Sequence, residues 1–154
     1  MTSNKPPKGE FAREMWLFDY FKTKDICPTG SRHIEWPPKL TTDDDYLIFI
    51  DGCDINYYRE KLVEEGWTDC LDQDTQEGFE RYQEEGVSLD AWGAFRIDDI
   101  NVMIYESKYL YDASCAATFL CQKLNVKDKE QRIRIFRWFK FNEPLKAGDL
   151  SYDG

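Results

Sequence analysis

Two short runs in this chain leave no face for water. Tyr46-Leu47-Ile48-Phe49-Ile50 is apolar throughout, and Ile100-Asn101-Val102-Met103-Ile104-Tyr105 is apolar at every position but its second. A strand with one wet face alternates apolar and polar residues, so an unbroken β-favouring run predicts a central strand covered on both sides. The chain must therefore supply covering helices. A helix-compatible stretch over 10–22 places Phe11, Met15 and Phe18 on adjoining faces, and its further aromatics Trp16, Tyr20 and Phe21 predict burial on more than one side. Asp54 reads as the cap of a second helix, with Ile55, Tyr58 and Leu62 at helical spacing and Gly66 closing it. Asp112 and Asp128 are read as openings of two further helices carrying Ala113, Ala116, Ala117, Leu120 and Leu124, then Ile133, Phe136 and Phe139.

Weaker β signals fall over 67–71, 79–83 and 92–97, with an acidic, Gln-rich stretch over 72–77. Cys27-Pro28-Thr29-Gly30-Ser31 reads as a turn or loop, and Trp36-Pro37-Pro38 extends that irregular character. The order predicts an α/β or α+β fold: a small mixed sheet, helices packed mainly on one face, and a carboxyl-terminal helical pair. At 154 residues one domain is expected over 10–141, between a polar, flexible lead-in (1–9) and a flexible tail (142–154).

Charge narrows the function. Thirty acidic residues against 20 basic give a net charge of −10, which argues against a general nucleic-acid coat or a binder of anionic membranes. A nucleotide site stays open, because a divalent cation can supply positive charge locally. No apolar run is long enough for a membrane helix, and MTSNKPPKGE lacks the apolar core of a secretory leader. Five cysteines, an odd number without C-x-x-C spacing, predict free thiols in a reducing cytoplasm.

The chemistry is concentrated in one segment: Thr29-Gly30-Ser31, eleven residues, then Asp43-Asp44-Asp45 at the entrance to the first apolar run. Side chains two apart on a strand point the same way, so Asp43 and Asp45 leave one face with Cβ atoms roughly 7 Å apart. Two convergent carboxylates can hold magnesium, or manganese, hard ions that keep some waters and recruit phosphate oxygens, and two such ions about 3.5–4 Å apart can activate an attacking hydroxyl and neutralise a leaving pyrophosphate. Gly30 permits close approach of a phosphate, and Ser31 offers a hydroxyl, so the pair can seat a triphosphate beside the metal.

Gly30-Ser31 followed by Asp43-x-Asp45 and the strand from Tyr46 resembles the signature of the DNA polymerase beta-type nucleotidyltransferase superfamily. The segments 26–50 and 100–105 are also similar to small nucleotidyltransferase-like proteins encoded by bacteriophages, as are Lys123-Leu124-Asn125, Asp128-Lys129 and Arg132-Ile133. The resemblance spans roughly 15–140. It implies a nucleotidyltransferase-like topology, magnesium (or manganese) at Asp43 and Asp45, a nucleoside triphosphate as substrate, and a third carboxylate on a later strand.

Two departures stand out. The position between the paired aspartates is usually apolar; here it is Asp44, which points to the other side of the sheet and needs solvent or a partner. The place of the third carboxylate falls on Asn101, an amide that cannot act as a general base, with Asp99 two residues earlier as a substitute. Arg32 beside the turn, and Lys123, Lys129, Arg132 and Arg134 on the helical pair, are candidates for phosphate contact. His33, the chain's one imidazole, reads as a loop residue, and Trp36 is the aromatic best placed to stack on a nucleobase.

These readings predict a magnesium-dependent transfer of a nucleoside monophosphate to an unidentified acceptor, whether protein, RNA or small molecule. Asp43, Asp45, Asp99 and Asn101 are its catalytic candidates, and Gly30, Ser31, Arg32, Lys123 and Lys129 its nucleotide-binding ones. A catalytically weak or inactive protein of the same fold, and an acidic protein that inhibits a basic host partner in the bacterial cytoplasm, are the alternatives.

Overall fold

The computed structural model describes residues 5–40, 43–52, 54–71, 91 and 93–152. In chain order the elements are α1 (Glu10–Phe21), β1 (Ile26–Thr29), α2 (Gly30–Ile34), β2 (Asp44–Phe49), α3 (Ile55–Glu64), β3 (Thr68–Asp69), β4 (Gly93–Ile97), β5 (Ile100–Tyr105), α4 (Lys108–Leu124) and α5 (Lys129–Phe141). The strand expected over 79–83 and the acidic stretch over 72–77 lie outside the described residues.

The strands form one mixed sheet in the order β1-β2-β5-β4-β3. β2 and β5, the two apolar runs, are the neighbouring parallel pair at its centre, and every other pairing is antiparallel. Alternate residues of these strands feed different cores. Tyr46, Ile48, Ile100, Val102 and Ile104 pack with Phe95 against Trp16, Leu17, Tyr20 and Phe21 of α1 and Leu62 of α3. Leu47, Phe49, Met103 and Tyr105 face the other way, onto Leu110 and Tyr111 of α4. Helices thus cover both faces of the mixed sheet rather than mainly one. Each large apolar side chain withdrawn from water in this way contributes about 1.5–3 kcal/mol. The carboxyl-terminal helical pair is present: Ala117 and Cys121 of α4 bury against Ile135 of α5, with Ile34 of α2 in the same cluster.

Two segments depart from the sequence reading. The stretch read as a turn from Cys27 is the strand β1, followed at once by the five-residue helix α2. β1 pairs on one side only, with β2, and such an edge strand tolerates Pro28. The helix α4 starts before Asp112, because the Ser107 side chain caps it by accepting from the Leu110 amide at 3.2 Å. Beyond Asn142 the chain forms no helix or strand through Tyr152, yet Asp149 is buried, pairs with Arg134 at 2.9 Å and accepts from the Lys146 amide. Among the described residues no helix is long and apolar enough to cross a membrane.

Candidate functional site

The register places a polar row across one end of the sheet. Thr29 pairs with Asp45, Asp45 with Asn101, Asn101 with Arg96, and Arg96 with Thr68. Registered residues share a face, so this row lies on the α4 side, one step beyond the buried row Cys27, Leu47, Met103 and Ala94. The Thr29 and Thr118 hydroxyls meet at 2.8 Å and tie one end of the row to α4.

Asp43 and Asp45 converge on this face. Asn101 Nδ2 donates to Asp45 Oδ1 at 2.9 Å and to Asp43 Oδ2 at 3.3 Å, so one amide spans both carboxylates. Asn101 is 2% exposed, whereas the Asp43 side chain is 39% exposed and opens the pair to solvent. Gly30 closes the other side. Its φ is +77°, and a Cβ added there would fall 2.1 Å from Asp45 Oδ2, so only glycine fits both the backbone and the contact. The β1–β2 register therefore seats the glycine-serine bend against the acidic pair across eleven intervening residues. Ser31 Oγ accepts from Arg132 Nη2 at 2.8 Å, and Arg132 also donates to the Val126 and Lys127 carbonyls.

The arginine of the row is the feature that the sequence reading missed. Arg96 Nη1 lies 2.8 Å from Asp43 Oδ2, its Nη2 donates to Asp43 Oδ1 at 2.9 Å, and its Nη1 donates to Asn101 Oδ1 at 3.1 Å. A fixed guanidinium thus supplies positive charge beside the two carboxylates. Its signal was the register alone: β4 and β5 are joined by a two-residue turn, so Arg96 must oppose Asn101.

Asp99 goes elsewhere. It sits in that turn, after Asp98 at φ 51°, where strand alternation no longer sets direction. Its carboxylate accepts from Arg13 Nη2 at 2.8 Å and pairs with Arg32 at 3.3 Å, on the opposite side of the sheet from Asn101. Asp44 meets the same two cations. Fully buried, it accepts from Arg13 Nη1 at 3.1 Å and from the Tyr46 hydroxyl at 3.0 Å, pairs with Arg32 at 3.5 Å and hydrogen-bonds His33 Nε2. Burial alone would raise the Asp44 carboxyl, but the bonds from His33, Arg13 and Tyr46 hold it below its ordinary value. The Arg13 bond likewise lowers Asp99. This second cluster fastens α1, α2 and the β4–β5 turn together, and it engages Arg32 and His33 as structural groups.

Among the basic candidates, Arg132 reaches the bend, whereas Lys123 and Lys129 are exposed on the helical pair. Trp36 is 72% exposed and borders a cavity of about 370 Å³ with Arg32, His33 and Gln122; the acidic pair does not line it. Among the described residues no group of three or more His, Cys, Asp or Glu side chains forms a cation cage. Asn101 spends its NH2 on the two carboxylates and its oxygen on Arg96, so Asp43 and Asp45 are the residues of this row that could hold a hard cation. Comparison of the chain with family models, curated proteins and solved structures gives no match.

Proposed function

We propose that this chain is a nucleotidyltransferase-like protein that seats a nucleoside triphosphate between the Gly30-Ser31 bend and the Asp43–Asp45 pair. The carrying observation is the approach of Gly30 to Asp45, close enough that a methyl group would overlap the carboxylate. This contact supports the reading because Gly30, distant from Asp45 in sequence, adjoins it in the fold, as the resemblance would require of a phosphate seat beside a metal pair.

Asp43 and Asp45 would hold a single magnesium or manganese ion, which when bound withdraws charge from the triphosphate oxygens. The protein's own groups do the rest. Gly30 lets the Asp45 carboxylate lie against the start of α2, Arg132 fixes the Ser31 hydroxyl, and Asn101 orients both carboxylates. Transfer forms a bond from the acceptor oxygen to the α-phosphorus. It breaks the bond to the bridging oxygen, and pyrophosphate departs with that electron pair. The acceptor's proton passes to Asp43 or to water, because an amide such as Asn101 takes up none.

Arg96 favours a second reading, a binding protein of the same build without turnover. The guanidinium engages Asp43 through both nitrogens, which blunts that carboxylate as a base and competes with a cation for it. Incubation with labelled nucleoside triphosphates, Mg²⁺ or Mn²⁺ and a bacterial extract separates the two. Label transfer that disappears in Asp43→Ala supports the transferase. Calorimetric binding of the triphosphate without transfer supports the silent form. Transfer that survives Asp43→Ala, or no binding at all, removes the assignment.

A further inference from the structure

The face that carries the acidic pair also holds two neighbouring thiols in one buried cluster. Cys27 lies on β1, where its thiol donates to the Pro28 carbonyl at 3.6 Å, and Cys115 lies on α4, packed against the cluster that holds Cys27 and Tyr111; the two thiols are near enough to interact, as are Cys115 and the Tyr111 hydroxyl. Packing explains the meeting. Thr29 and Thr118 touch where the strand crosses the helix. Two residues back along a strand, and three back along a helix, return to the same facing sides, which brings position 27 onto position 115. Cys27 is 6% exposed, in a cluster with Leu47, Met103 and Tyr111, and Cys115 packs part-buried against that cluster.

We propose that Cys27 and Cys115 form a reversible redox pair, closed into an intramolecular disulfide by an oxidised low-molecular-weight disulfide. The Cys115 thiolate attacks one sulfur of that molecule and expels the other half as a thiolate, which takes up the proton that Cys115 lost. A mixed disulfide remains. The Cys27 sulfur then attacks the sulfur of Cys115, and its proton passes to the second half as it leaves. Two electrons and two protons leave the protein, and the small disulfide becomes two thiols.

The order of attack follows from the surroundings. Cys115 is the more accessible, and Cys27 and Tyr111 beside it hold its thiol below the ordinary value; the neighbouring Cys115 and burial push the Cys27 thiol up. Cys70 and Cys121 are buried away from this pair, and burial raises the Cys121 thiol to about 12. The bridge would fasten β1 to α4 just ahead of the Gly30 bend. This inference does not depend on nucleotide binding.

The test is exposure of the folded full-length chain to oxidised glutathione, read by intact mass and non-reducing peptide mapping. The expected product has lost two hydrogen atoms, carries no adduct, joins the peptides holding Cys27 and Cys115, and reverts with dithiothreitol. Cys27→Ser should accumulate a glutathione adduct on Cys115, and Cys115→Ser should lose the bridge. A lasting adduct in the unaltered protein, a bridge through Cys53, Cys70 or Cys121, or no reaction would overturn the proposal.

Discussion

Arg96 and Asp43 are held fork against fork, with Nη1 2.8 Å from Oδ2 and Nη2 2.9 Å from Oδ1. The pair crosses from β4 to the entrance of β2, and Asn101 of β5 lies between them as a partner of both. A protein cation and a divalent ion therefore seek the same carboxylate. Replacing Arg96 with Met should tighten Mn²⁺ binding roughly fivefold, the ratio that corresponds to an ion pair of ~1 kcal/mol. Titration followed by manganese paramagnetic resonance reads this directly. Equal or weaker affinity in the variant would show that the guanidinium does not compete.

The glycine of the bend offers a test with its own control. At Gly30 an alanine meets both a left-handed backbone and the Asp45 carboxylate, so Gly30→Ala should destabilise the fold by ~2 kcal/mol or more. Gly66 shares the positive φ but has nothing within 4 Å of an added Cβ, so Gly66→Ala should cost only ~1 kcal/mol. Urea unfolding of both variants gives the comparison. Equal losses would mean that the Gly30–Asp45 contact carries no weight.

Asp44 is the buried anion that the fold must neutralise. Asp44→Asn keeps the shape but leaves Arg13, Arg32 and His33 facing a neutral group. Breaking one partner of a buried pair costs about 3–5 kcal/mol, and denaturant unfolding should show a loss of that order. A loss below ~1 kcal/mol would place the Arg13 and Arg32 charges in solvent instead.

The same carboxyls set an acid limit. Asp44 and Asp99 are both depressed in the folded chain, so the unfolded chain takes up their protons first as pH falls. Their contribution is complete above the unfolded value of about 3.9 and its transition, and is lost as pH drops through the lower folded values. The urea midpoint should therefore decline below about pH 5, and the decline should be shallower in Asp44→Asn. Parallel declines in the two proteins would contradict this assignment.

What the sequence made legible follows local physics. The apolar runs of β2 and β5 announce central strands because no solvent-facing pattern fits them, and Asp54 caps α3 by accepting from the Asn56 amide. The convergence of Asp43 and Asp45 follows from strand alternation. The remainder was set at a distance. β1 is hidden in Ile26-Cys27-Pro28-Thr29 because its partner lies about twenty residues on, and Asp99 leaves its expected face because it belongs to a turn. Arg13 and Arg96 carry no local mark at all. Only packing of α1 on the sheet, and the β4–β5 register, decide which carboxylate each meets.

The central claim is that the acidic pair beside Gly30 receives a cation and a triphosphate. Crystals soaked with Mn²⁺ and a non-hydrolysable nucleoside triphosphate, measured at the manganese absorption edge, test it most directly. The account predicts one anomalous peak between Asp43 and Asp45, with the phosphates against Gly30 and Ser31. A triphosphate bound elsewhere, or manganese absent from that pair at saturating concentration, would contradict it.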